Sequence, residues 1–214
     1  MQLIGMLDSP YVRRVAISLQ LLGLPFEHRS VSVFRGFDEF SRINPVVKAP
    51  TLVCDDGGAL MDSTLIIDYA EALARDRDPA SRSLMPESIG GRQHTLQLIG
   101  LALAACEKGV QIVYERSLRP PEKQHAPWVT RVRGQLAAAL AELEAALARQ
   151  SLACTSASID QAGVSCAVTW FFVRALVPEL ANAADHPALQ VYSEQAEQLP
   201  AFRNAPHGEG IVAR

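Results

Sequence analysis

The sequence predicts a protein in two parts, a small mixed α/β unit followed by an all-α bundle. Three observations predict it. Short extended runs bounded by Gly, Pro or Asp turns are confined to the first sixty-odd residues. Helical spacing begins directly after the first of those runs, the pattern of a βα unit. From Ile89 onward the periodic segments step by three and four, and no strand is expected.

Taken in order, Gln2–Leu7 is a short apolar strand. Pro10–Leu22 carries Val12, Val15, Ala16, Leu19 and Leu22 on one helical face, and Gly23-Leu24-Pro25 stops it. Phe26–Val33 is a poorly polarised strand in which His28 is expected to be solvated, as is Arg35 in the loop beyond it. Asp38–Ile43 has room for a turn or two of helix before Asn44-Pro45. Thr51–Cys54 and Ala59–Met61 flank Asp55-Asp56-Gly57-Gly58, a hairpin signal. A helix over Ser63–Ala74 closes the unit. A parallel βαβ followed by a hairpin fits a thioredoxin-like fold.

The polar stretch around Arg75–Ser88 reads as a linker, so the expected division is 1–76, a linker at 77–88, and 89–214. In the second part Ile89–Leu118 is helical, interrupted by Gly90-Gly91, Gly100 and Gly109, whose recurrence suggests the close approach of a partner helix or a substrate. Pro120-Pro121 stops it. Trp128–Gln150 is amphipathic through Val129, Val132, Leu136, Leu140, Leu143 and Leu147. Ser158-Ile159-Asp160-Gln161 reads as a capping box for a buried helix over Ala162–Leu176. Pro187–Leu199 is the last helix, and the chain from Pro200 is a tail of uncertain order.

Composition removes several function classes. A net charge of −3 and 6% aromatics offer neither a basic patch nor a stacking platform, so no nucleic-acid partner is expected. No uninterrupted apolar run of about 20 residues is expected to span a membrane, Ala162–Val177 coming nearest, and Met1–Leu7 lacks the features of a secretory signal. Cys54, Cys106, Cys154 and Cys166 show neither metal-ligand nor redox spacing and are expected as reduced thiols of a cytoplasmic protein. Five scattered histidines argue against a metal centre. No glycine-rich phosphate loop and no G-x-S-x-G elbow is present.

Three signals carry chemistry, and all fall where a sheet of this order would place them at one end. Ser9-Pro10 starts a helix: the serine caps it and the proline suits the first helical position. A thiolate lodged there would be favoured by the helix N-terminus. With Ser9 and Val12 where a C-x-x-C would stand, a dithiol mechanism within the motif is excluded. Pro50 opens an apolar strand, and a cis bond there would turn the Ala49 backbone toward an extended ligand. Asp62-Ser63 starts another helix, either as a plain cap or as a site for a ligand carboxylate.

Ser9-Pro10-Tyr11-Val12-Arg13-Arg14-Val15, Asn44-Pro45, Lys48-Ala49-Pro50-Thr51-Leu52 and Asp62-Ser63 together resemble the thioredoxin-like domain of the glutathione S-transferase family. The rest resembles that family's all-helical domain, with Ser158–Gln161 at its capping-box position; the likeness is greatest to bacterial members with serine at the first turn. The resemblance implies a transferase that conjugates the thiolate of glutathione, a co-substrate, to a hydrophobic electrophile, with no metal, in detoxification. Ser9 would hydrogen-bond the thiolate, Ala49 would pair through its backbone with the cysteinyl unit beside a cis Pro50, Asp62 and Ser63 would bind the γ-glutamyl end, and Lys48 would reach the glycine carboxylate. The family commonly has valine at position 49 and glutamate at position 62; the first change touches only backbone-mediated contact, the second shortens a carboxylate by one methylene.

Tyr11, Phe34, Cys106, Val110 and Tyr114 are the expected lining of an acceptor site in a cleft between the two parts. A homodimer is implied by the family alone. Two other readings stand beside conjugation: another glutathione-dependent enzyme (reductase, peroxidase or dehalogenase), or a non-catalytic interaction module. Ser9 counts against a mixed-disulfide transferase, which would use cysteine there, and retention of Ser9, Pro50 and Ser63 counts against the module.

Overall fold

The structure, a computed structural model, describes residues 1–213. In chain order its elements are β1 (Gln2–Ile4), α1 (Pro10–Leu21), β2 (Glu27–Arg29), α2 (Phe37–Ile43), β3 (Thr51–Val53), β4 (Ala59–Met61), α3 (Ser63–Arg77), α4 (Ile89–Leu118), α5 (Ala126–Arg149), α6 (Gln161–Leu176), α7 (Pro187–Ala196) and α8 (Pro200–Arg203). They form two compact units: Met1–Leu84 together with the chain from Gln198 onward, and Met85–Glu197.

This division differs from one at 77–88 in two places. Leu84 is fully buried, and Glu71 on α3 takes hydrogen bonds from Ser83 Oγ (2.8 Å) and Leu84 N (2.7 Å), so the start of the expected linker belongs to the first unit. The carboxyl-terminal segment also returns to that unit. Gln20 Nε2 donates to the Ala201 carbonyl at 3.0 Å, and the buried Arg13 Nε donates to the Ala205 carbonyl at 2.8 Å.

The first unit is a mixed sheet in the order β2-β1-β3-β4, with β1–β2 parallel and the other two pairings antiparallel. Both strands around the first helix are shorter than their apolar runs suggested. Beyond Ile4 the chain takes a positive φ at Gly5 (+135°), and beyond Arg29 it turns, with Val31 N bonded back to Arg29 O at 3.0 Å. α1 ends as its sequence predicts, Gly23 adopting φ +68°. Under the sheet, Ile4, Val31 and Phe40 form a buried cluster completed by half-buried Ile43, Val47, Ala49 and Val53.

The second unit is built on α4, which packs against α5 and α6. α4 is long and apolar enough to cross a membrane by length and composition, a property expected of no stretch. In the fold its Leu98, Ile99, Ala102, Ala105 and Ile112 are buried. Its glycines do not break it. A Cβ at Gly109 would stand 2.9 Å from Phe172 Cε1, so α6 approaches closely at that one turn, whereas nothing lies within 4 Å of such an atom at Gly90 or Gly100. α6 starts one residue earlier than expected, and its cap is Asp160, not Ser158. Asp160 Oδ1 accepts from Gly163 N at 2.8 Å, while Ser158 is engaged in a turn with Thr155 Oγ1 at 2.7 Å. No strand occurs in this unit among the described residues. The tail from Pro200 is ordered by a short helix, α8, and by bonds described below.

Candidate active site

Sheet register brings two of the three sequence signals together and sets Gly5, which leads to the third, beside them. Ile4 pairs with Thr51, and Thr51 with Met61, so Gly5, Ala49-Pro50 and Asp62-Ser63 all lie just beyond the same edge of the ladder. Gly5 sits at the centre of this junction. A Cβ there would meet Val12 Cγ2 at 2.7 Å and the Ala49 Cβ at 3.0 Å, so only a glycine lets α1 and the Ala49 loop approach this closely.

Ser9 is the half-buried N-cap of α1, its Oγ accepting from Val12 N at 3.4 Å. That bond leaves the hydroxyl proton for another acceptor, at the positive end of a helix whose first turn holds no acidic side chain. Beside it Asp8 is exposed overall, yet its carboxyl is held above the usual range, first by partial desolvation and further by Glu209, against the opposing pull of His207.

The Ala49-Pro50 bond is cis, with Pro50 buried and Ala49 half-buried. The loop leading into it is pinned by the buried Asn44. Its Nδ2 donates to Thr51 Oγ1 (2.9 Å), its Oδ1 accepts from Val46 N (3.0 Å), and Thr51 Oγ1 donates to the Lys48 carbonyl (2.8 Å). Val47 within it has φ +52°, a region a β-branched residue rarely enters, so these bonds hold a strained turn.

Asp62 is likewise strained, at φ +76°, and caps α3 by accepting from Thr64 N at 2.9 Å. Its other oxygen lies 3.6 Å from Lys48 Nζ, so the two side chains proposed for opposite ends of a ligand meet each other here. Ser63 is 3% exposed. Its Oγ accepts from Arg14 Nη1 at 2.9 Å, and the same nitrogen reaches Thr64 Oγ1 at 3.2 Å. Arg14, itself buried, is a residue that sequence reasoning missed; the available signal is an arginine on the buried face of a helix that begins at the site.

His28 is the second residue that sequence reasoning misplaced. It is buried, not solvated: Nε2 donates to the Gly5 carbonyl at 2.7 Å, and Nδ1 accepts from Val212 N at 3.1 Å. Those two bonds require the neutral ring, and burial holds its pKa below the usual histidine value. Ser30 Oγ donates to the Glu209 carbonyl (2.8 Å) and Arg35 pairs with the Glu209 carboxylate (2.5 Å), so the tail lies along this side of the unit.

Of the acceptor candidates, Tyr11 (half-buried) and Phe34 (52% exposed) belong to the first unit. On α4, Tyr114 is 44% exposed and Val110 half-buried, but Cys106 is a core residue: it is 3% exposed, with Sγ 3.1 Å from Thr169 Oγ1 on α6. Cys166 is also buried, and Cys54 and Cys154 are half-buried; none of the four forms a disulfide. Among the described residues no group of three or more His, Cys, Asp or Glu side chains could hold a metal ion.

Comparison with known proteins agrees with this fold. Residues 3–78 match the model of the glutathione S-transferase N-terminal domain. An uncharacterised GST-like protein of Escherichia coli, YibF, is 25% identical over 178 residues, covering 83% of this chain and 85% of the relative. A glutathione S-transferase of Methylobacterium radiotolerans, solved with glutathione sulfonate, superposes with a TM-score of 0.85 at 27% identity, covering 100% of this chain and 98% of that one. A glutathione transferase family member of Pseudomonas fluorescens, solved with bound glutathione, gives 0.79 at 27% identity over 97% and 98% of the two chains. Residues 3–78 therefore match the glutathione S-transferase N-terminal domain, and the whole chain shares its fold with glutathione S-transferases.

Proposed function

We propose that this protein is a glutathione transferase that activates the thiol of glutathione at Ser9 for attack on a hydrophobic electrophile. The observation that carries the reading is that the cis Ala49-Pro50 bond and the buried Ser63 lie at one end of the sheet, where Gly5 packs against Val12 of the helix that Ser9 caps. The glutathione bound to the Pseudomonas fluorescens relative supports the choice of ligand.

Chemically, Ser9 donates its proton as a hydrogen bond to the sulfur, and the α1 N-terminus adds its partial positive charge. Both favour thiolate over thiol, so the thiol proton is lost to water near neutral pH. The sulfur lone pair then forms the new S–C bond, and the displaced electron pair leaves with the leaving group or on the acceptor's own electronegative atom. Ser9 keeps its proton throughout, which distinguishes this role from that of a cysteine, whose own sulfur would be the nucleophile. Serine at position 9 therefore favours conjugation over mixed-disulfide chemistry.

Ser9→Ala is the test. The lost cap bond is long, at 3.4 Å, so the variant folds with a stability loss of about 1 kcal/mol or less. Its kcat/KM with 1-chloro-2,4-dinitrobenzene falls on the order of 100-fold, the usual effect of removing one donor aimed at developing negative charge. Unchanged turnover would remove Ser9 from the mechanism.

A further inference from the structure

We infer that the tip of the α4–α5 hairpin docks on an anionic lipid surface through exposed Leu118 and Trp128, flanked by Lys123 and Arg131. The contact is independent of the reaction proposed above.

The tip projects and is held in shape. Every residue from 116 to 128 is exposed except the half-buried Gln124. Pro120, Pro121 and Pro127 restrict its backbone. Buried Glu115 closes it, accepting from His125 N through Oε1 (2.9 Å) and pairing with Arg119 through Oε2 (2.9 Å), and Gln124 Nε2 donates to the Arg119 carbonyl (3.1 Å). A convex, preformed surface suits a flat partner, whereas a small ligand needs a concavity.

The buried seam of the hairpin runs out into solvent at this end. Leu118 ends α4 at 55% exposure, and Tyr114, one turn earlier on the same face, is also exposed. Trp128, in the first turn of α5, is 42% exposed, although Val132, one turn later on the same stripe, is buried. Tryptophan and tyrosine join an apolar body to a polar edge, the combination that settles at the headgroup level of a bilayer.

Charge selects the partner. Residues 114–133 hold five Arg or Lys and two Glu, in a chain whose net charge is −3, so the overall charge conceals a basic segment. Arg116 and Arg133 pair with Glu179, and Arg119 with Glu115. Lys123 and Arg131 stand outside these pairs, both exposed, and Arg131 is three positions from Trp128 on the same face. Glu122 is the one other carboxylate of the segment. A second copy would bring the same positive excess to the contact and be repelled; anionic headgroups complement it.

The experiment is flotation of the purified full chain with vesicles of phosphatidylcholine, alone or containing about one-third phosphatidylglycerol, together with tryptophan emission. The other tryptophan, Trp170, is 1% exposed, so a change in emission on binding reports Trp128. The protein should float with the anionic vesicles only, its emission should move to the blue, and about 0.5 M salt should release it. Each cation near an anionic leaflet contributes about 5-fold in partitioning, so Lys123→Gln with Arg131→Gln should weaken binding about 25-fold. Trp128→Ser should weaken it about 10-fold or more by removing the inserted ring. All three positions are exposed, so each variant should keep the thermal midpoint of the unaltered protein. Absence of flotation, equal flotation with neutral vesicles, or binding undiminished in both variants overturns the proposal. Self-association of the unaltered protein that Trp128→Ser abolishes, without flotation, overturns it in favour of a contact between copies.

Discussion

His28→Leu tests how the carboxyl-terminal tail is joined to the core of the first unit. In the folded protein the imidazole is the hydrogen-bond partner of the buried Gly5 carbonyl at 2.7 Å and of Val212 N at 3.1 Å. Leucine keeps the apolar volume and loses both bonds. The Gly5 carbonyl is left buried without its donor, a cost of about 1–3 kcal/mol, whereas the partly buried Val212 amide recovers a bond with water as the tail loosens. Stability at pH 7.5 should therefore fall by about 1–3 kcal/mol. The pH dependence is the sharper readout. Burial lowers the folded-state pKa of His28 below the ordinary 6.5, so between the two values the unfolded chain binds more protons than the native one. The contribution is thus fully present above pH 6.5 and is lost as pH falls toward the folded value, by at most about 1.4 kcal/mol per pH unit for one proton. Glu27 and Arg29, the titratable neighbours on β2, alternate to the opposite face of the strand and do not reverse that sign. Urea unfolding of both proteins from pH 7.5 to 5.0 checks this, because every other group cancels in the difference. The gap should narrow below pH 6.5, and hydrogen exchange at Val212 should quicken in the same window. A gap that stays constant across the range would refute the neutral-histidine link.

Three further substitutions probe the junction and the bundle. Gly5→Ala places a methyl 2.7 Å from Val12 and 3.0 Å from Ala49 at φ +135°, so strain and overpacking together should cost about 2–4 kcal/mol by denaturant unfolding; a loss below about 1 kcal/mol would show that the junction has slack. Asp160→Ala removes the cap bond to Gly163 N and the acceptor of Thr95 Oγ1, and should cost about 1–2 kcal/mol, whereas Ser158→Ala should cost less than about 0.5 kcal/mol. The reverse order in thermal midpoints would restore the cap to Ser158.

Local rules carried far along this chain where a single residue dictates backbone geometry. Pro10 and Gly23 mark the ends of α1, and Asp55-Asp56-Gly57-Gly58 makes the hairpin, with φ +87° at Gly57. The alignment of Ala49-Pro50 with Asp62-Ser63 was legible because the register of a hairpin follows from the order of its elements. What escaped was decided by residues distant in the sequence. His28 looked solvated on a weakly alternating strand, and is buried because Val212, 184 positions later, lies over it. Arg14 is explained only by hydroxyls 49 and 50 positions away. Asp160 and Ser158 are both good caps, and the choice between them is made by Thr155, which engages Ser158 first. The glycines of α4 suggested interruption, yet an intrahelical glycine costs only about 1 kcal/mol, and packing against α5 and α6 outweighs that. Cys106 stood in a helix expected to line a pocket, but helical phase turns it toward Thr169 on α6.

Calorimetric titration with glutathione of the unaltered protein and of Ser63→Ala tests the central claim most directly. The site predicts saturable one-to-one binding in the micromolar-to-millimolar range, weakened about 10-fold or more when the buried hydroxyl at the start of α3 is removed. No binding by the unaltered protein, or equal affinity in both, would contradict it.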